Sequence, residues 1–319
     1  MDAERIELLA HVAEMYYEHG LTQSQIAKRI GYSRSMVSRM ITEARENNIV
    51  EIRIHYPLQR MRELETALAD ALHLEEVRVV QRGALSHNEM LRRLGAMAAL
   101  LLAEHLQDYM TIGTSWGTAL YETVNAARSQ ALEGVRVVQM IGSLGTPNPD
   151  IDGPELARRL ARLLGAQYAT VPLPLIVDSE TTKRSLLSAP HIQRVTQHFK
   201  QIDLALVGVG TVDYEFASLL RAGYLNFEQL ESLRQAGAVG DVCAIHFDEE
   251  GCLVDTPLTR CIVGIEPDDL RRIPVRIGVA GGQSKVLPIL AASRAGFINH
   301  LVTDEVAALR ILRKLESER

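Results

Sequence analysis

The stretch QSQIAKRIGYSRSMVSRMIT, residues 23–42, reads as two helices joined by a tight turn. Ile26 and Ala27 sit on the first helix, and Ala27 is small where a second helix must cross closely. Ile30 closes that helix, and Gly31 ends it at a position where a left-handed backbone costs little. Ser33 is the N-cap candidate of the second helix. Val37, Met40 and Ile41 then recur at helical spacing and face inward. The opposite face carries Arg34, Ser35, Ser38 and Arg39, side chains that reach phosphates and base edges in a DNA major groove. With Gln23 and Ser33 at the two helix starts, these are the candidate DNA-contacting residues of a helix-turn-helix. A helical hairpin with a merely solvated face does not need small, apolar and glycine positions in register over the whole stretch. That coincidence favours DNA binding.

Charge supports this locally. Residues 22–45 carry Lys28, Arg29, Arg34, Arg39 and Arg45 against Glu43 alone, a charge of +4 within a chain of net charge −6. A basic stripe on an acidic protein is the footprint of a phosphate-contacting surface. Residues 6–19 read as a leading helix with Leu8, Leu9, Val12, Met15 and Tyr16 on one face. After Asn47-Asn48, residues 49–54 alternate as a strand that is either a small wing or a brace for the helices.

At 319 residues the chain is long enough for one small and one large domain. The 47% hydrophobic and 23% charged content is that of a soluble globular protein. No apolar run approaches the roughly 20 residues that span a bilayer. The first ten residues, MDAERIELLA, carry acids where a signal peptide carries bases. A cytoplasmic protein without membrane contact is expected. Cys243, Cys252 and Cys261 lie nine apart with no CxxC pair, which excludes a zinc finger and argues against a disulfide framework. They are expected to pack in strands.

Residues 58–72 form a helical stripe of Leu58, Met61, Leu64, Leu68 and Leu72, either a connector packed on its own domain or a subunit contact. Beyond residue 75, short apolar strands at 77–80, 110–112, 135–140, 168–171, 204–207, 242–247, 275–279 and 300–302 alternate with helical patterns. The clearest of these helices are 88–106, 118–127, 154–164, 285–295 and 304–314. Such alternation predicts an α/β fold with a mostly parallel sheet covered by helices, and ligands beyond the carboxyl ends of the strands. The expected division is 1–56 for a winged-type helix-turn-helix domain, 57–74 for a linker helix and 75–319 for the α/β domain.

Glycines and hydroxyls concentrate at those strand ends. Gly113-Thr114-Ser115-Trp116-Gly117 follows one strand and opens a helix, a backbone anion site that needs no cationic side chain. Gly142-Ser143-Leu144-Gly145, Gly208-Val209-Gly210-Thr211 and Ala280-Gly281-Gly282-Gln283-Ser284-Lys285 follow three others. Lys285 stands where a helix begins, against the helix dipole, and such a cation is costly unless an anion sits beside it. Together the loops point to a phosphorylated small molecule. No GxxxxGK[ST] occurs, and Gly208-Val209-Gly210 does not continue as GxGxxG. Asp241, ahead of an apolar strand, reads either as a turn aspartate or as an acceptor for sugar hydroxyls.

The chain resembles the SorC family of bacterial sugar-responsive transcriptional regulators over nearly its whole length. The resemblance rests on EMYYEHGLTQSQIAKRIGYSRSMVSRMITEARENNIVEIRI, IGTSWGTAL, VVQMIGSLG, DLALVGVG, GDVCAIHFDEEG and VAGGQSKVLPILAASRAGFINHLVTDE, in that order. It implies an effector domain like the sugar-phosphate isomerases and deaminases, a phosphorylated sugar or polyol effector, operator DNA as partner and a working dimer or tetramer. By the family pattern Gly113, Thr114 and Ser115 meet the phosphate, Lys285 adds positive charge, and Asp241 holds sugar hydroxyls; Gly117, Gly142, Ser143 and Gly282, from the same strand-end loops, are the remaining candidate effector-binding residues. Bisphosphate-binding relatives use a second cationic cluster, which residues 141–145 lack, so one phosphate is expected. No catalytic residue, metal or cofactor is expected. The competing class is a sugar-phosphate isomerase or deaminase with an appended head, which needs an acid–base residue over the sugar carbons.

Overall fold

The computed structural model describes residues 3–47, 49–50, 58–143, 145 and 149–318. The chain divides into two compact units, Met1–Tyr56 and Pro57–Arg319.

The small unit contains α1 (Ala3–Tyr17), α2 (Gln23–Ile30) and α3 (Arg34–Glu46). Thr22 caps α2 in a reciprocal box with Gln25, and Gly31 ends it in the left-handed region at φ 75°. Ser33 caps α3 by accepting from the Met36 N–H. Leu9, Val12, Met15, Ile26, Ala27, Val37, Met40, Ile41 and Ala44 form its buried core, with Leu8 and Tyr16 partly buried against them. Arg5 on α1 grips Glu43 on α3 through two bonds of 3.1 and 2.5 Å. Residues 51–54 of the expected wing strand lie outside the described residues. Ile49 and Val50 turn back instead, both N–H groups donating to the Ala44 carbonyl.

The large unit is built on strands β1 (Glu76–Val80), β2 (Thr111–Thr114), β3 (Arg136–Gln139), β4 (Gln167–Ala169), β5 (Leu204–Gly208), β8 (Val275–Val279) and β9 (His300–Asp304). They form one seven-stranded sheet in the order β1-β9-β8-β5-β2-β3-β4, with every pairing parallel. The sheet is α/β and covered on both faces. On β5, Leu204 and Leu206 join one apolar cluster with Leu94 and Leu156, while Ala205 and Val207 join the other with Phe199 and Ile289. Burial on both faces explains why this strand reads as a continuous apolar run.

Three expectations are corrected. The helix expected over 58–72 begins only at Arg62: α4 spans Arg62–Leu72. Residues 59–61 run extended along the outer edge of β1, with Met61 N–H donating to Val79 O and Gln81 N–H to Gln59 O. Buried Glu65 fixes this arrangement by accepting from the Val79 N–H at 2.9 Å and from Arg60. Leu68 and Leu72 are buried in the unit's own core, with Met61 and Leu64 packed partly against it.

The apolar run 242–247 is not one strand of the sheet but a separate hairpin, β6 (Gly240–Val242) and β7 (Ile245–Phe247). Its two turn residues, Cys243 and Ala244, both have positive φ, 54° and 60°. The three cysteines are free and none sits in a strand: Cys243 is in this turn, Cys252 is exposed and Cys261 ends a short 3₁₀ turn.

Candidate functional site

Strand order places the site. The chain runs β2, β3, β4 toward one edge, then returns to lay β5 on the other side of β2. The crevice beyond the carboxyl ends of β2 and β5 is therefore the topological switch point, where ligands bind in open parallel sheets. A narrow cavity of about 90 Å³ lies there. Its wall combines Ser115–Ala119 after β2, Gly208–Gly210 after β5 and Lys285 after β8, together with Asp241 from β6. A wider cavity of about 810 Å³, lined by Arg82, Asp213, Arg234 and Gly282, adjoins it; His87 and Phe216 line both.

Helix α5 (His87–His105) and helix α6 (Thr118–Ala126) approach closely at Gly95, where a Cβ would come 2.4 Å from the Glu122 carbonyl carbon. The amino end of α6 opens into the narrow cavity. Its N-cap is Gly117, at φ 114°, with no side chain to satisfy the first N–H groups. An uncapped helix start is a place for an anion. Lys285 adds a cation, its Nζ donating to the Val209 carbonyl at 2.8 Å. Burial pushes the Lys285 ammonium down to about 8, with Asp241 and Asp213 pulling in the opposite direction. Burial lowers His87 as well, reinforced by Arg82, Arg221 and Lys285.

Asp241 is fixed from several sides. Its Oδ2 accepts the Ala244 N–H at 3.1 Å across the hairpin turn, and its carbonyl accepts the Gly210 N–H at 2.7 Å. The carboxylate occupies the space above Gly210, where a Cβ would stand 1.8 Å from Oδ1. Burial pushes the neighbouring Cys243 thiol up to about 12, so it is no thiolate nucleophile at neutral pH. Asp304, wholly buried, holds the far wall: Oδ1 accepts from Gly282 N–H at 2.8 Å and Oδ2 from Arg82 at 3.2 Å.

Of the effector residues expected from sequence, Ser115, Gly117, Asp241 and Lys285 line the narrow cavity and Gly282 the wider one. Gly113 and Thr114 lie within β2, buried; Gly113 faces Met140, and the Thr114 hydroxyl has no hydrogen-bond partner among the described residues. Gly142 and Ser143 line neither cavity. Gly142 N–H donates to Val263 O and its Cα abuts Pro174, while the Ser143 hydroxyl donates to Asp152. Leu144 lies outside the described residues. Sequence reasoning missed His87, Phe216 and Arg221, which line the cavity from segments with no glycine signature. The cationic groups Arg82, Arg221 and Arg234 reach the cavities from outside the loop at 141–145.

In the small unit, Arg34, Ser35 and Arg39 of α3 are exposed and Ser38 is partly exposed, opposite buried Val37, Met40 and Ile41. Gln23 stands at the start of α2, partly buried. The Ser33 hydroxyl is engaged at the α3 start and lies 3.0 Å from that of Ser35.

Comparison with known proteins bears on both units. Residues 56–313 match the family model described as "Putative sugar-binding domain", and residues 10–47 match sigma-70 region 4. The deoxyribonucleoside regulator of Bacillus subtilis is 31% identical, over 99% of this chain and all of the relative. The Escherichia coli transcriptional regulator LsrR is 32% identical, over 96% of this chain and 95% of its own. The full-length sorbitol operon regulator SorC of Klebsiella pneumoniae superposes with a TM-score of 0.73 at 30% identity, covering 97% of this chain and 100% of that one. With both units matched in order over nearly the full length, the chain belongs to the SorC family of sugar-binding transcriptional regulators.

Proposed function

We propose that this protein sets the transcription of a carbohydrate-related operon according to the level of a phosphorylated sugar or polyol. The observation that carries the proposal is the convergence, at one switch-point crevice, of the uncapped amino end of α6, Ser115, Lys285 and Asp241. The effector's phosphate sits against the α6 amino end, with Lys285 supplying charge and Asp241 accepting from hydroxyls. The adjoining cavity, with His87 and Phe216 at the junction, takes the rest of the ligand. In the other unit, Arg34, Ser35, Ser38 and Arg39 of α3 meet operator DNA, with Gln23 and Ser33 at the helix starts.

The protein works as a dimer or tetramer in the cytoplasm. No helix among the described residues is long and apolar enough to cross a membrane. One head of three short helices buries too little for specific DNA affinity, which usually takes about 1,000–2,500 Å². The effector favours one subunit arrangement over another and so changes the spacing of paired heads. The protein has no catalytic role.

The test is operator binding by mobility shift at fixed salt, with and without a panel of sugar and polyol phosphates ranked by thermal shift. At least one ligand is expected to raise the melting temperature and change operator affinity, without turnover. A panel that neither stabilises the protein nor alters DNA binding, or a ligand that is isomerised or deaminated, refutes the reading.

A further inference from the structure

The amino ends of β1 and β9 lie at the opposite edge of the sheet from the crevice. Glu76 and His300 are paired there as the first residues of their strands, and His105 ends α5 beside them. Donor atoms of the three side chains all lie within 4.8 Å of one another. The His105 Nε2 is 3.8 Å from Glu76 Oε2, and the two imidazole rings meet edge-to-face at 4.7 Å.

The surroundings orient these donors. Arg78 bonds Glu76 Oε1 at 2.5 Å, which leaves Oε2 for His105. The Arg78 charge is shared with Glu104, 2.7 Å away, and Arg276 turns its guanidinium to the Ile273 carbonyl. Asn299 decides the state of His300. Its Nδ2 donates to Glu75 and to the Pro274 carbonyl, at 2.8 and 2.7 Å. Its Oδ1 therefore accepts, from the Arg276 N–H at 2.7 Å and from His300 Nδ1 at 3.0 Å. The ring proton is thus on Nδ1, and Nε2 keeps its lone pair. A second residue fixing tautomer and ring orientation is how proteins prepare an imidazole for a metal.

We propose that Glu76, His105 and His300 bind a divalent transition-metal ion of the zinc type. Two imidazoles and a carboxylate suit zinc, cobalt or nickel rather than magnesium or calcium, and leave a fourth position for water. Bond lengths of about 2.0–2.2 Å require donors about 3.3 Å apart, so donors now within 4.8 Å of one another must close by up to about 1.5 Å around the ion. His105, partly exposed at the end of its helix, is the imidazole with the more open surroundings for that movement. The ion ties together three segments remote in sequence, and binding only the folded state stabilises it.

The test uses the full-length protein, stripped with chelator and titrated with CoCl₂ and then ZnCl₂. One cobalt per chain is expected, with the visible bands of a low-coordinate site that zinc displaces. ZnCl₂ but not MgCl₂ raises the melting temperature. His105→Ala, at an accessible helix end, lowers affinity by about tenfold or more. His191→Ala, at an exposed histidine elsewhere, leaves it unchanged. Absence of saturable one-to-one binding in the unaltered protein, or a His105→Ala protein that titrates like it, overturns the proposal.

Discussion

Replacing Lys285 by methionine is expected to stabilise the ligand-free protein while abolishing its response to effector. A lysine free in water titrates at 10.5, whereas Lys285 in the fold is pushed down to about 8. That difference sets an upper bound of about 3 kcal/mol on the cost of the partly buried ammonium at neutral pH. Methionine keeps the aliphatic stem and removes the charge. It also leaves the Val209 carbonyl without its 2.8 Å donor, which costs about 1 kcal/mol or somewhat more. The balance is a gain of at most roughly 1–2 kcal/mol, and at roughly 2–4 °C per kcal/mol a melting temperature up to several degrees higher. The pH dependence has a definite sign. Because the folded value lies below the unfolded one, the unfolded chain binds the extra proton between pH 8 and 10.5. The penalty is therefore complete below pH 8 and is relieved as pH rises toward 10.5, so the advantage of Lys285→Met shrinks over that window. Differential scanning fluorimetry from pH 7 to 10, with and without the best sugar phosphate, measures both effects. A Lys285→Met protein that melts below wild type at pH 7, or that keeps the full effector-induced shift, would refute the reasoning.

The other predictions concern separate links of the same chain. Arg34→Ala and Arg39→Ala should each weaken operator binding, by roughly 1–3 kcal/mol where the side chain reads a base, and relax sequence preference. Titrations at fixed salt in which the double variant matches wild type would remove α3 from the interface. Gly210→Ala should cut effector affinity with little change in operator binding, because its Cβ would displace the Asp241 carboxylate 1.8 Å away; calorimetric titration with effector measures this. Gly95→Ala should destabilise the large unit by about 1–3 kcal/mol in urea unfolding, since the added methyl meets Glu122 backbone at 2.4 Å.

The helix-turn-helix was legible because every device in it is local. Thr22–Gln25 and Ser33 caps, the Gly31 turn and the Ala27 crossing all fall within twenty-five residues. The sheet was legible as alternation, since strands buried on both faces read as short apolar runs. Strand order was not, because nothing in a parallel strand names its neighbour. That is why Gly142 and Ser143, after β3, seemed equivalent to the loop after β2, although the switch point falls between β2 and β5. Leu58 and Met61 fell in helical register with Leu68 yet precede the helix, which begins at Arg62. The edge of β1 needed covering, and Glu65 binds that edge. The run 242–247 reads as one strand rather than part of a hairpin because the turn is Cys243-Ala244, without the asparagine or glycine that such turns usually carry.

That turn belongs to a wider pattern. Three helices start with reciprocal capping boxes, at Thr22–Gln25, Ser86–Glu89 and Asn226–Gln229, whereas α4 and α6 start without a side-chain cap. His73 and Tyr109 are single left-handed residues, whereas Cys243 and Ala244 are consecutive, and each such residue costs on the order of 1–2 kcal/mol. Asp241 offsets part of this by accepting the Ala244 N–H, and the strained turn in turn presents Asp241 to the cavity. In the same small volume α6 starts without a side-chain cap and Lys285 is held against its solvation. The Thr114 hydroxyl, one residue before Ser115, is buried without a hydrogen-bond partner among the described residues. Each departure is unfavourable alone, and a single anionic, hydroxyl-bearing ligand relieves several together: negative charge for Lys285 and the helix start, hydroxyl donors for Asp241. Local conflicts that meet at one switch point, and that one ligand relieves together, are what a binding site for such a ligand requires before the ligand arrives.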